Sequence, residues 1–163
     1  LKPIFIPISE EHEKRVIDIF NYYVENTNSA FPAVSVLYPY FNKILEAVKD
    51  YPTFAIVNEE QVVGFCFLHA YKPMSAFAEC AEFTCFIDKD YTGGGLGTLV
   101  LEKIESEAKK IGIKTILSSI AGDNLGSIKF HQKHGFRECG RFESIAKKRG
   151  VVFDIVWMQK NLE

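Results

Sequence analysis

Neither a CxxC pair nor an apolar run of the ~18 residues that a membrane helix requires occurs in the sequence. The four cysteines, Cys66, Cys80, Cys85 and Cys139, lie singly, three of them in β-like apolar segments, and are read as reduced core thiols. The histidines lack paired ligand spacing, so no metal is expected. A basic excess is missing too: 19 Lys+Arg against 21 Asp+Glu leave a net charge of -2, which argues against nucleic acid as a partner. The first residues, broken by Pro3 and Pro7, do not follow the basic-then-apolar plan of a secretory signal, and a cytoplasmic protein without a membrane partner is expected. What remains is globular material. The 163 residues are 47% hydrophobic and 25% charged, enough to bury a core, and a single domain over 1–163 is expected.

Ile4 to Ile8 reads as a short strand ended by Ser9, after which Val16, Ile17, Phe20, Tyr23 and Val24 recur at helical spacing. Asn26 to Pro39 is polar and proline-punctuated, which implies a mobile loop. Phe41, Ile44, Leu45 and Val48 then mark a second helix that stops before Pro52. Thr53 to Val57 and Val62 to Tyr71 form a hairpin across Asn58 to Gln61, and Ala81 to Asp88 extends it. Leu96, Leu99, Val100, Ile104, Ala108 and Ile111 mark a helix closed by Gly112; Thr115 to Ile120 is a buried strand; Ser127 to His134 is a short helix. Two last strands, Arg137 to Phe142 and Val151 to Met158, flank the basic turn Lys147-Lys148-Arg149. Strands with helices inserted singly predict an α+β fold, a mixed and mostly antiparallel sheet flanked by helices.

Two motifs carry chemistry. In Ile87-Asp88-Lys89-Asp90-Tyr91-Thr92-Gly93-Gly94-Gly95-Leu96-Gly97-Thr98 a strand passes through a glycine-rich turn into a helix. Glycine removes Cβ atoms there, so the N–H groups that open the helix can close on a phosphate favoured by the macrodipole. The Gly-Lys-Ser/Thr of a Walker loop is absent, which disfavours nucleoside triphosphates. About thirty residues on, Asn124-Leu125-Gly126-Ser127-Ile128-Lys129-Phe130-His131 places Asn124 and Ser127 at a helix start, with His131 one turn beyond Ser127 on the same face.

The pair Y-T-G-G-G-L-G and N-x-x-S-x-x-F-H-x-x-x-G-F resembles the GNAT superfamily of acetyl-CoA-dependent N-acetyltransferases, and histidine in place of its usual tyrosine looks like the phosphinothricin acetyltransferase branch. The likeness covers nearly the whole chain, and Tyr51-Pro52 and the closing Asp154-Ile155-Val156-Trp157-Met158-Gln159 fall in the branch's order. It implies the GNAT fold, acetyl-CoA as co-substrate and a homodimer. It further implies a cofactor site made of Cys85, Phe86 and Ile87, of Thr92, Gly93, Gly94, Gly95, Leu96, Gly97 and Thr98, and of Asn124 and Ser127. Thr92 and Gly93 depart from the branch, which carries Gln or Arg and then a basic residue there; Lys129 or Lys133 are alternative sources of that charge.

Glu82 matches the branch's general base. An amine at neutral pH is an ammonium that must lose a proton before it attacks a thioester, so a carboxylate directly in reach, or one water away, suits the task. His131 is expected to protonate the departing thiolate or to share the base role. On the acceptor side Phe31, Tyr38, Lys148 and Asp154 are expected to bind substrate, with Lys147, Lys148 and Arg149 meeting an anionic group, and Asp154 reads equally well as a structural partner of Arg141 or Lys148. These readings imply transfer of acetyl to a small-molecule amine, an amino acid or an analogue such as phosphinothricin or methionine sulfoximine. The competing readings are a polyamine, aminoglycoside or protein amine as acceptor, or a CoA-binding module without turnover.

Overall fold

Alternation along the central strands decides which helices cover which face of the sheet. The computed structural model describes residues 2–163. Its elements in chain order are β1 (Ile4–Pro7), α1 (Glu13–Asn26), α2 (Tyr40–Val48), β2 (Thr53–Asn58), β3 (Gln61–Ala70), β4 (Cys80–Ile87), α3 (Leu96–Lys110), β5 (Thr115–Ala121), α4 (Leu125–Lys133), β6 (Arg137–Lys148) and β7 (Val151–Asn161). The strands form one sheet in the order β1-β2-β3-β4-β5-β7-β6, in which β4 and β5 run parallel and every other neighbour pair is antiparallel. Phe65 and Phe67 of β3 pack under α1 and α2 with Val16, Ile17 and Phe41. Cys66 and Leu68, pointing the other way, join Val100, Leu101 and Ile104 of α3 and Ile116 of β5. The mixed sheet between helical layers agrees with the sequence pattern.

Several local expectations change. The hairpin between β2 and β3 narrows to Glu59-Glu60, both with positive φ (49° and 66°), the geometry of a two-residue primed turn without its usual glycine. The segment Asn26 to Pro39, expected to be a mobile loop, begins with the last residue of α1 and is tied at its far end by Asn21, whose amide bonds both the N–H and the C=O of Val36 at 2.9 and 2.8 Å. Strand β6 continues beyond Phe142 to Lys148 through an irregularity between Phe142 and Ala146. Almost every residue of this edge strand is exposed, so no alternation marks it in the sequence. Cys139 is exposed on it, unlike the core thiol expected; all four cysteines are free.

Candidate active site

The parallel pair β4–β5 holds only at its start, through Cys80↔Thr115, Ala81↔Ile116 and Glu82↔Leu117, and beyond Glu82 the two strands part. The backbone that this uncovers can be assigned. Asp88 N donates to Val63 O on the β3 side, whereas Glu79 O accepts from Lys114 and Thr115 on the β5 side. Because the two edges alternate along a strand, the N–H and C=O groups of Phe83, Cys85 and Ile87 face the gap. A bound chain with amide groups can complete this edge as a strand would. Phe86 lines the cleft with Cys85 and Ile87, but its backbone faces β3 and its ring packs with Phe20, Tyr23 and Phe65. The Ile87 carbonyl also accepts from the hydroxyl of Tyr23, whose burial pushes its pKa up to about 12.

A cleft of about 1040 Å³ runs through the gap and reaches the start of α3. Thr92, Gly93, Gly95, Leu96, Gly97, Thr98, Asn124 and Ser127 line it, and Gly94 does not. Gly95 caps α3 in the left-handed region (φ 82°), which aims the first helical N–H groups outward, the arrangement that suits an anionic phosphate. Gly97 has another reason to be glycine: a Cβ there would meet the Phe130 ring at 3.2 Å, so its bareness lets α3 approach α4. Asn124 caps α4 by accepting from Ser127 N at 3.2 Å and also donates to Ser29 Oγ at 3.0 Å, joining the helix to the segment after α1.

Glu82 and His131 both line the cleft, but from opposite faces of the sheet. Ser119 donates to Glu82 Oε1 at 3.0 Å on the α1–α2 face, where His69, paired with Glu82 in the β3–β4 register, brings Nε2 to 3.8 Å from Oε2. On the α3–α4 face His131 Nδ1 lies 2.7 Å from the Ser127 carbonyl, which can only accept, so Nδ1 carries the proton and Nε2 accepts from the Ser118 hydroxyl at 3.1 Å. Burial holds the His131 imidazole below the usual histidine range, only partly offset by the Ser127 carbonyl. Burial also pushes the Cys85 thiol up to about 12, so it holds its proton and is no nucleophile at neutral pH. Ser118, Ser119 and His69 escape sequence reasoning; two adjacent serines inside an apolar strand are the one available signal.

The acceptor expectations divide. Phe31 lines the cleft beside Pro32, Tyr40, Lys43 and Ile44. Tyr38 does not; it is exposed and donates to Asp18 Oδ1 at 2.7 Å. Lys148 is buried and gives its three protons to the carbonyls of Val24, Thr27 and Ala30 at 2.7 to 2.8 Å, which close the end of α1. Burial, and then the Arg149 charge, lower its pKa. Arg149 also bonds the Val24 carbonyl, at 3.0 Å. Asp154 accepts from Ser144 N and from Arg141, each at 2.8 Å, and knits the irregular stretch of β6 rather than facing substrate. Lys148 and Arg149 therefore clamp the fold, whereas Lys147 is exposed.

The model of the acetyltransferase (GNAT) family matches residues 16–136, about three quarters of the chain, and the chain belongs to this family. It is similar to an L-methionine sulfoximine/L-methionine sulfone acetyltransferase of Pseudomonas aeruginosa, 27% identical over 103 residues that are 63% of this chain and 60% of that protein. The match thus spans about three fifths of that relative. A crystal structure of a ribosomal-protein-alanine N-acetyltransferase from Brucella melitensis superposes with a TM-score of 0.91 at 27% identity, over 98% of this chain and 99% of that one. A phosphinothricin acetyltransferase of the GNAT superfamily from Sinorhizobium meliloti, solved with AcCoA, superposes at 0.94 with 18% identity, over 99% and 89% of the two chains, and shows the shared fold.

Proposed function

We propose that the chain is an N-acetyltransferase that uses acetyl-CoA to acetylate the amine of a small molecule, an amino acid or an analogue such as methionine sulfoximine or phosphinothricin. The observation that carries this is the parting of β4 from β5 immediately after Glu82, which sets a carboxylate beside an open strand edge and a helix start that suits phosphate. Acetyl-CoA supplies an activated acyl group when bound. Cys85 and Ile87 would hold its amide-bearing arm, and Gly95 to Thr98 its pyrophosphate. Glu82, steadied at Oε1 by Ser119, takes the proton from the acceptor ammonium on the α1–α2 face. His131, held neutral, orients the Ser118 hydroxyl at the apex of the gap from the other face. The raised Cys85 thiol supports direct transfer without an acyl-cysteine.

Phe31, Pro32, Tyr40 and Ile44 enclose the acceptor end with apolar and aromatic surface, and Lys43, next to Ile44 on α2, adds a cation, which suits a compact amine with an apolar stem and a carboxylate. The same reading takes residues 1–163 as one domain working in the cytoplasm as a homodimer, with neither nucleic acid nor membrane as a partner. The exposed apolar residues Phe142, Ile145, Val151 and Val152 on the β6–β7 edge support the dimer, which light scattering tests. For the activity, kcat/KM is compared across methionine sulfoximine, phosphinothricin, methionine, spermidine and a peptide with N-terminal alanine, by release of CoA thiol. The sulfoximine and phosphinothricin are expected to lead; a lead for spermidine or the peptide overturns the acceptor, and silence with every amine overturns the activity.

A further inference from the structure

The geometry points to His69 as the proton outlet of Glu82, an inference that rests on the reading of Glu82 as the base. A carboxylate that takes a proton in each turnover must lose it before the next. The Glu82 side chain is only 18% exposed, and an amine and an acyl donor filling the cleft would cover it from the open side. Oε1 is occupied by the Ser119 hydroxyl at 3.0 Å. Oε2 faces His69 Nε2 at 3.8 Å, a gap that a small rotation or one bridging water closes.

The tautomer of His69 follows from its other nitrogen. Nδ1 lies 3.0 Å from the Ala70 carbonyl, which can only accept, so Nδ1 keeps its proton and the neutral ring presents the Nε2 lone pair to Glu82. The transfer balances: the Glu82 O–H bond breaks and its electron pair stays as carboxylate, while the Nε2 lone pair takes the proton and the ring becomes imidazolium. His69 also lines the cleft, but at 29% exposure it is the wetter partner, and it passes that proton to solvent or buffer at the cleft's margin or as product leaves. The β3–β4 register sets His69 directly opposite Glu82, on rigid backbone. His69 acts through Glu82 and is a positioning and relay residue.

Chemical rescue tests this in the whole chain. In dilute, non-imidazole buffer His69→Ala is expected to lower kcat by ~10-fold or more, within the range of general acid–base effects. CoA affinity by calorimetry should stay at the wild-type value, and added imidazole should restore kcat with saturation. His69→Gln, which keeps a hydrogen-bonding side chain but carries no proton across, is expected to be as slow, and it serves as the test if the alanine variant fails to fold. Imidazole should do nothing for Glu82→Gln. Wild-type kcat in both His69 variants, or a loss that imidazole does not restore while CoA still binds, overturns the outlet alone. A wild-type protein that turns over no amine overturns the activity reading, and the outlet with it.

Discussion

Ser119 Oγ donates to Oε1 of Glu82 at 3.0 Å across the point where β4 and β5 part. The neighbouring Ser118 turns to the other face and meets His131, so two consecutive residues of one strand serve two different sides of the cleft. The candidate base and the buried imidazole therefore act separately, and their variants should differ.

Glu82→Gln keeps the shape and the bond from Ser119 but removes the proton acceptor. Turnover is expected to fall by ~10² or more with CoA affinity near wild type, as steady-state kinetics and calorimetry would read. Ser119→Ala loses one hydrogen bond to a charged group, worth about 1.5 kcal/mol or more where fully felt, and is expected to lower kcat by ~10-fold. A Ser119→Ala effect equal to that of Glu82→Gln would contradict a merely steadying role.

The two glycines of the helix start fail for different reasons. Gly95→Ala forces a side chain into the left-handed region, about 1 to 2 kcal/mol of strain at the cap, and should weaken CoA binding. Gly97→Ala meets Phe130 instead, so it should lower thermal stability, and Phe130→Leu in the same chain should restore part of the loss. A binding defect in Gly97→Ala without a stability defect would place phosphate, not Phe130, against that position.

Lys148→Met leaves the carbonyls of Thr27 and Ala30 without the Lys148 donor and Val24 with Arg149 alone, at a cost of about 2 kcal/mol or more in denaturant unfolding. The segment so loosened carries Phe31, and KM for the amine should rise more than KM for acetyl-CoA. Lys147→Ser, at an exposed position, is expected to leave both unchanged. A shift in acceptor preference from Lys147→Ser would return the basic turn to the substrate.

His131 binds its proton less readily in the folded chain than in the unfolded one, where a histidine titrates near ~6.5. The unfolded state therefore takes up more protons as the pH falls. The stability that the neutral ring contributes is full above ~6.5 and is lost as the pH drops from there through the lower folded value. Thermal unfolding should show the wild type losing its lead over His131→Gln between about pH 7.5 and about pH 5. A constant difference over that window would mean that burial does not hold the ring neutral.

The sequence by itself determined the order of the elements, the two faces of α1 and α3, the glycine-rich helix start and the family, because these depend on local periodicity, on backbone freedom and on short spacings. Glu82 and His131 were legible only through the resemblance, since a lone carboxylate in a strand and a lone histidine on a helix carry no pattern of their own. Only the tertiary structure decided that β4 and β5 part after Glu82, which pairing register fixes and composition does not. It alone set His69 and Ser119 against Glu82 from two other strands. It also turned Lys148 and Asp154 from substrate contacts into braces, because a charge in a turn reads the same in sequence whether water or three carbonyls of a distant helix end surround it.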